Sequence, residues 1–235
     1  GAEMVQAGKL GKVTLVRTYW FQNYTRHNPV HVDTAKLDWK QWLGSRPDQP
    51  FSLDRFTTWR WYWDFGGGAL TDLFTHWVDV VHWAMQSDTP QMAQTLGNQY
   101  EFKEWDCPDT IQASFQYPNF MTIYDGTMVC SLEDGGLVFR GSQAMMLLDR
   151  TRLVVYPEGR EIVVAKVPPT VEMQSKSDGT IAHMQNFLDC VRSRNEPNCP
   201  VEVGVAAARA SHIGNLALRK GQRVTWPSAK FEATA

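Results

Sequence analysis

Hydrophobic positions recur with two different periods along this chain, and each period predicts a different kind of element. Between residues 92 and 167, short apolar runs alternate with polar positions at every second residue, as at Ile111, Ala113 and Phe115. A period of two is typical of strands with one buried face. Turn residues such as those at 118–119 separate the runs, which favours an antiparallel meander.

The same patterns set the bounds of the predicted elements. The predicted strands are Val13–Phe21, Met92–Phe102, Ile111–Tyr117, Met121–Met128, Gly136–Arg140, Ala144–Leu148, Leu153–Tyr156 and Glu161–Val167. The predicted helices are Ala2–Ala7, Trp39–Leu43, 69–86, His183–Arg194 and Glu202–Arg219. In the fourth helix an apolar stripe is expected to face the core, formed by Met184, Phe187, Leu188 and Val191. The sequence therefore predicts an α+β fold, a large, mostly antiparallel open β-sheet with helices packed on one face.

The helix predicted at residues 69–86 has two chemically different faces. At about 100° per residue, a compact arc of roughly 60° contains Asp72, His76, Asp79 and Trp83. The opposite side is apolar and predicts burial. A surface helix usually presents a mixture of Lys, Glu and Gln to water, whereas this arc presents groups that move protons or hold a polar ligand. The pattern indicates a functional site.

The spacing within this arc suggests specific chemistry. Residues four apart are neighbours on an α-helix, so Asp72 is expected to accept a hydrogen bond from His76 and leave the other ring nitrogen as an acid or base. Gly66–Gly68 lets a ligand or another backbone approach closely, and its N–H groups could hold an oxyanion. Two other interpretations stay open: a purely structural pair with a tight turn, or a metal site that includes Asp79.

An unusual run of aromatic residues precedes the glycines. In an extended segment Trp59, Trp61 and Trp63 would share one face, either to stack on a sugar ring or to pack within the protein. We expect substrate contacts nearest the glycines, from Arg60, Trp63 and Asp64.

Composition fits one large domain and excludes some partners. The 235 residues are 43% hydrophobic and 20% charged, with a net charge of −2, which gives no electrostatic reason to expect nucleic acid or an acidic membrane surface. No apolar run approaches the roughly 20 residues of a membrane span. The sequence contains no G-x-G-x-x-G dinucleotide fingerprint between a strand and a helix.

The segment GGGALTDLFTHWVD at 66–79 resembles the GGG-x-(L/M)-x-D-x-G-x-H-x-x-D signature of the Gfo/Idh/MocA oxidoreductases. The opening and closing segments also resemble the second half of that family. The resemblance implies that His76 is the catalytic acid/base and Asp72 its partner. We also expect cofactor contacts at Gly67 and Gly68 and substrate contacts at Asp79 and His183. His183 begins a predicted helix from which it could reach the site, with helix capping or plain surface exposure as the alternative. Phe74 stands where the family usually has Gly, and we expect it to crowd the near side of the helix.

The resemblance also implies what the whole protein does. Residues 1–12 would end a linker helix from a nucleotide-binding Rossmann domain, and 13–235 would form the substrate-binding and oligomerisation domain of an NAD(P)-dependent oxidoreductase. The substrate would be a sugar, cyclitol or related polyol. The family's Glu-Lys-Pro motif is absent, so we expect NAD or NADP in the full-length protein and no cofactor bound to this chain alone, which would be inactive in isolation.

Other outcomes stay open within the same family. One is a non-redox lyase, hydratase or glycosidase that oxidises the sugar transiently, and another is a non-catalytic sugar-binding or assembly module. The family implies a homodimer or homotetramer formed through the open sheet face. Localisation is left between cytoplasm and periplasm.

Overall fold

The computed structural model describes residues 1–26, 30–177 and 179–226. The strands are β1 Val13–Phe21, β2 Met92–Asn98, β3 Thr110–Gln116, β4 Met121–Thr127, β5 Gly135–Gly141, β6 Ala144–Leu148, β7 Arg152–Pro157, β8 Val171–Gln174 and β9 Val224–Thr225. The helices are α1 Ala2–Gln6, α2 Trp39–Leu43, α3 Leu53–Thr57, α4 Thr75–Met85, α5 Thr180–Ser193 and α6 Val201–Lys220. Most predicted elements are confirmed within a few residues of the predicted bounds, and the part of the predicted domain beyond residue 226 lies outside the described residues.

The strands form one open sheet in the order β8-β7-β6-β5-β1-β4-β3-β2-β9. Two antiparallel meanders, β2–β4 and β5–β8, meet at β1, which runs antiparallel to β5 but parallel to β4. The pairing of β1 with β4 is the one parallel pairing in the described sheet. Alternation of apolar and polar residues along a strand does not show which strands will be its neighbours. The predicted α+β class with a mostly antiparallel open sheet is confirmed.

The core lies between the helix-covered face of the sheet and helices α4 and α6. Val16, Phe115, Tyr124 and Phe139 point into it from the strands, and each is fully or almost fully buried. Phe74 joins them, stacked on Phe115 at 4.7 Å between ring centroids. The expectation that Phe74 crowds the functional face of the helix is therefore wrong, since its ring fills the core.

Three predicted segments differ from the structure. The strand predicted at Met92–Phe102 ends at Asn98 because the Asp109 carboxylate accepts the backbone N–H groups at 100, 101 and 102, at 2.7–2.9 Å, and holds them in a loop. The strand predicted at Glu161–Val167 is absent, since the sheet is extended instead by β8 pairing with β7. The segment Trp59–Trp61 is a 3₁₀ turn, not an extended run.

Helix α5 forms as predicted, but its apolar face is not buried as predicted. None of its described residues is buried, and Phe187, expected in the core, is 54% exposed. The same holds for Met184, Leu188 and Val191. Helical periodicity predicts that one face is apolar, but it does not determine which surface covers that face.

Candidate functional site

A tight glycine turn and a π-helical turn bring the chain into α4. Residues Leu70–Phe74 form the π turn, and the Gly67 carbonyl accepts a hydrogen bond of 2.7 Å from the Asn215 side chain of α6. A Cβ on Gly67 would lie 2.5 Å from Thr71 Oγ1, and one on Gly68, whose φ is +65°, would lie 2.8 Å from Cys107 Cβ. These glycines are required by close packing within the chain itself.

The carboxylate of Asp72 is held by Arg60. Arg60 Nε donates to Asp72 Oδ1 at 2.9 Å, while its guanidinium also lies 4.5 Å from the ring of Trp59. The expected hydrogen bond from His76 to Asp72 is not formed. The π turn pairs residues five apart, so positions 72 and 76 do not stack as they would in an α-helix.

The His76 ring lies against the indole of Trp20, 5.6 Å away between centroids. Partial burial lowers the pKa of His76 below its ordinary value, and the positive charge of Arg150 lowers it further, while the charges of Asp72 and Asp79 oppose these effects. A histidine with a lowered pKa is neutral at pH 7 and can accept a proton from a bound hydroxyl group.

Asp79 follows His76 one turn later on the same face of α4. Burial raises the pKa of its carboxyl group, and the nearby His76 lowers it. Asp79 also opens onto a cleft of about 1310 Å³ between the end of α4 and the start of α6, lined among others by Trp83, Cys199 and Arg209. Of the predicted arc, His76, Asp79 and Trp83 lie on the partly or fully exposed side of α4, and Asp72 lies partly buried in the π turn before it.

Other predicted contacts have partners elsewhere. Asp64 pairs with Arg55 at 2.9 Å, and the ring of Trp63 packs under Arg219 of α6, with the guanidinium carbon 5.4 Å from the centroid. His183 is exposed on α5. Arg60 is therefore grouped with Asp72 by their ion pair, and Asp72 and Asp79 with His76 by their charges. No such contact joins Trp63, Asp64 or His183 to them among the described residues.

Three residues of the site were missed by the sequence analysis. Trp20 is the penultimate residue of β1 and lies on the helix-covered face. Tyr24 lies close enough to Arg60 and Asp72 for both charges to act on its hydroxyl group, whose pKa is raised chiefly by burial. Alternation along β1 could have indicated Trp20. Arg150 lies in the β6–β7 turn, far away in sequence, and no local pattern points to it.

Other chemistry has no support in the described residues. Within the described ranges, no group of three or more His, Cys, Asp or Glu side chains is arranged to hold a metal ion. No described helix combines the length and apolar character needed to cross a bilayer.

Solved structures with the same fold are oxidoreductases. Levoglucosan dehydrogenase in complex with NADH and levoglucosan superposes with a TM-score of 0.68 at 13% identity, over 96% of this chain and 62% of that one. The WlbA dehydrogenase from Bordetella pertussis, in complex with NADH and UDP-GlcNAcA, gives 0.61 at 15% identity over 96% and 58%. An NAD binding oxidoreductase from Klebsiella pneumoniae gives 0.65 at 12% identity over 95% and 62%. At these identities the likeness establishes the fold, and the chain spans about 60% of the length of these structures.

Comparison with curated proteins gives no match. The family model for the oxidoreductase family C-terminal alpha/beta domain of Gfo/Idh/MocA proteins matches residues 11–234, nearly the whole chain. This chain belongs to the Gfo/Idh/MocA oxidoreductase family, as its C-terminal alpha/beta domain.

Proposed function

We propose that this chain is the substrate domain of an NAD(P)-dependent oxidoreductase that acts on a sugar, cyclitol or related polyol. The observation that carries the proposal is the His76 ring at the exposed start of α4, with its pKa lowered by burial and by Arg150. The neighbouring Asp72 is held by Arg60. A neutral imidazole at His76, with the Arg60–Asp72 ion pair nearby, is suited to remove a proton from the hydroxyl group of an alcohol.

The residues of this chain would carry out the proton chemistry. His76 accepts the hydroxyl proton of the substrate as its carbon is oxidised, and returns it in the reverse direction. Asp72 acts on His76 through its charge, since Arg60 takes its hydrogen bond. Asp79, half-buried on the same face, is placed to bind a second hydroxyl group.

We infer that the glycine turn of this chain is shaped by packing within the chain and does not serve as a phosphate cradle. Gly67 and Gly68 are packed against Thr71, Asn215 and Cys107, and the Gly66 N–H donates to the Tyr62 carbonyl at 2.8 Å. A phosphate cradle would need such N–H groups to be open. A bound nicotinamide would accept or donate the hydride, but we propose that another domain of the protein holds it, so the cofactor role of Gly67 and Gly68 is limited to shaping the turn.

The solved relatives support the substrate class. Two of them were captured with a sugar derivative, levoglucosan or UDP-GlcNAcA, together with NADH. By analogy, we place a polyol hydroxyl group at His76 in this chain. Trp63, Asp64 and His183 would then contact the substrate only if another part of the whole protein extended the binding site to them.

We further propose that the whole protein contains a nucleotide-binding domain, to which residues 1–12 would link. The relatives extend well beyond the aligned region, and the exposed apolar face of α5 is a surface that such a domain would cover. The open sheet face would pair with a second copy, since it carries exposed Leu96 and Met121 around the Arg17–Asp125 ion pair at 2.7 Å.

The test is to assay the intact protein with NAD and NADP against a panel of polyols, as parent and as His76→Gln. We expect the substitution to lower turnover at least about a hundredfold while the melting temperature changes little, since the ring is exposed. The control is His31→Gln, which removes an exposed histidine of the segment before α2 and should keep activity.

The outcomes separate the alternatives. Net formation of reduced cofactor supports a dehydrogenase, whereas product formation without it identifies a non-redox member of the family. Full activity of His76→Gln would contradict the proposed role of this residue.

A further inference from the structure

Arg150 presents a positive charge beside the proposed catalytic histidine. Its guanidinium carbon lies 5.1 Å from the ring of Trp20, and the same indole contacts His76 at 5.6 Å. The indole also packs on Trp77, at 5.6 Å between centroids, so Trp20 holds Arg150 and His76 near each other. A small molecule bound at His76 would therefore lie close to the guanidinium, whose charge already acts on His76. This placement depends on the β6–β7 turn folding back over the end of β1.

The turn that carries Arg150 is fixed by hydrogen bonds. The Asp149 carboxylate accepts the backbone N–H groups of Thr151 and Arg152, each at 2.7 Å. The Asp149 N–H donates to the Arg152 carbonyl at 2.9 Å, closing the hairpin. Asp149 is therefore occupied with the backbone, and Arg150 projects from a rigid position.

The charge of Arg150 has no acidic partner in the part of the chain that the structure describes. Other arginines nearby are paired: Arg60 with Asp72 at 2.9 Å and Arg152 with Glu172 at 2.9 Å. No described carboxylate lies within 4 Å of Arg150. Stacking on an indole stabilises an exposed guanidinium only weakly, and it leaves the N–H donors free for a planar anion.

We propose that Arg150 binds an anionic substituent of the substrate, so that the protein acts on acidic carbohydrates, carrying a carboxylate or a phosphate, in preference to neutral ones. The inference rests on the proposed function, since it assigns the substrate class of the same site. Trp20 holds Arg150 near His76, His76 meets the hydroxyl group that reacts, and Arg150 holds the anion. Arg150 is thus a specificity-determining residue.

The experiment compares acid and neutral pairs by ligand-observed NMR on the intact protein: glucuronate with glucose, galacturonate with galactose, gluconate with glucitol, glucose 6-phosphate with glucose, and inositol 1-phosphate with inositol. Inorganic phosphate is included alone. We expect at least one acid to bind about tenfold more tightly than its neutral partner, the value of one charge-assisted hydrogen bond. Carboxylate and phosphate arms identify which anion is preferred.

Three variants locate the effect. Arg150→Gln should remove the preference for the acid and leave weak binding of the neutral partner unchanged, and Arg150→Lys should keep part of it. Arg152→Gln, in the same hairpin but paired with Glu172, is the matched control and should keep the full preference. Loss of the preference in Arg152→Gln as well would attribute the effect to the hairpin and contradict the proposal.

The remaining outcomes also decide. If no acid binds more tightly than its neutral partner, or if inorganic phosphate binds as well as the sugar phosphate, the proposal is overturned. A neutral polyol that the intact protein oxidises as well as the acids would also overturn it while leaving the oxidoreductase function intact. If instead the acid preference depends on Arg150 but His76→Gln keeps full turnover, the anion site is supported and the proposed catalytic role of His76 is contradicted.

Discussion

At the scale of single residues, the electrostatics of the site depend on which partner each charge finds. Asp72 was expected to orient His76 directly, but its carboxylate is held by Arg60 at 2.9 Å. The field of Asp72 still raises the pKa of His76, against the larger effects of burial and of Arg150. The pKa of His76 is therefore set by burial and by Arg150, opposed by the charges of Asp72 and Asp79, and Arg60 can act on it only through Asp72.

Replacing Arg60 with Gln tests this arrangement. Without its cation, the Asp72 carboxylate is free to turn toward His76, so the pKa of His76 should rise. The free energy of unfolding should fall by no more than about 1 kcal/mol, because the ion pair is partly exposed. NMR titration of the histidine rings, with His76 assigned from the His76→Gln spectrum, measures the change. Arg55→Gln, which frees Asp64 instead, is the control, and an unchanged titration in Arg60→Gln would show that the pair does not act on His76.

At the scale of elements, α4 is positioned by a turn at its start and by a buried hydrogen bond near its end. Gly68 adopts a left-handed conformation with φ +65°, and a Cβ there would lie 2.8 Å from that of Cys107. Near the other end, His82 Nε2 hydrogen-bonds to the hydroxyl group of Tyr117 at 2.7 Å, just beyond β3. Each feature makes a prediction about stability.

Gly68→Ala should lower the free energy of unfolding by about 2 kcal/mol or more, because an alanine at positive φ is strained and its methyl group also collides with Cys107. Gly8→Ala is the matched control, since Gly8 has φ +70° but no atom within 4 Å of the added Cβ. Denaturant unfolding of both variants separates strain from collision. Equal losses would contradict the packing argument.

His82 predicts a dependence of stability on pH. Burial lowers its pKa from 6.5 to about 4, so the unfolded chain takes up a proton in this range before the folded one does. The resulting stabilisation is fully present above pH 6.5 and is lost as the pH falls toward 4, amounting to about 3 kcal/mol. Burial also lowers the pKa of His212 and of His76, which adds to the same trend.

His82→Gln isolates this contribution, because glutamine can keep a hydrogen bond to Tyr117 but does not titrate. We expect the difference in unfolding free energy between pH 7 and pH 4 to be smaller in this variant than in the parent chain. His183→Gln removes an exposed histidine for comparison. A parent-like pH dependence in His82→Gln would show that the buried pair is not the source.

At the scale of the whole molecule, two apolar surfaces are left uncovered by the described chain. One is the face of α5, and the other is the sheet face opposite the helices, which carries Leu96 and Met121 at 68% and 45% exposure. Arg17 and Asp125 form an ion pair on the same sheet face. Such mixed surfaces are typical of interfaces between subunits.

Light scattering coupled to size-exclusion chromatography tests the proposed pairing of sheet faces. The parent chain should elute as a dimer or tetramer, and the double variant Leu96→Asp with Met121→Asp should shift toward the monomer, because a buried unpaired carboxylate is costly. Leu132→Asp, at a 78% exposed site outside the strands, should leave the assembly unchanged. A monomeric parent, or an unaffected double variant, would place no interface on this sheet.

Much of this molecule is determined by its sequence alone. Alternation and turn residues located β1, β6 and α2 at their observed bounds, because these local patterns act within a few residues. Helical periodicity likewise identified the exposed face of α4 that carries His76 and Asp79. The motif around Gly66–Gly68 pointed to the family that the comparison establishes.

Only the tertiary structure decided how these parts meet. In the folded chain β1 lies between the two meanders, and Asp72 pairs with Arg60. Arg150 and Trp20 lie close to His76, and the apolar face of α5 is not covered by other described residues. Each of these outcomes depends on contacts between residues far apart along the chain, which hydrophobic periodicity does not encode. A sequence pattern fixes which face of an element is apolar or polar, whereas the partner of that face is chosen by the packing of the whole chain.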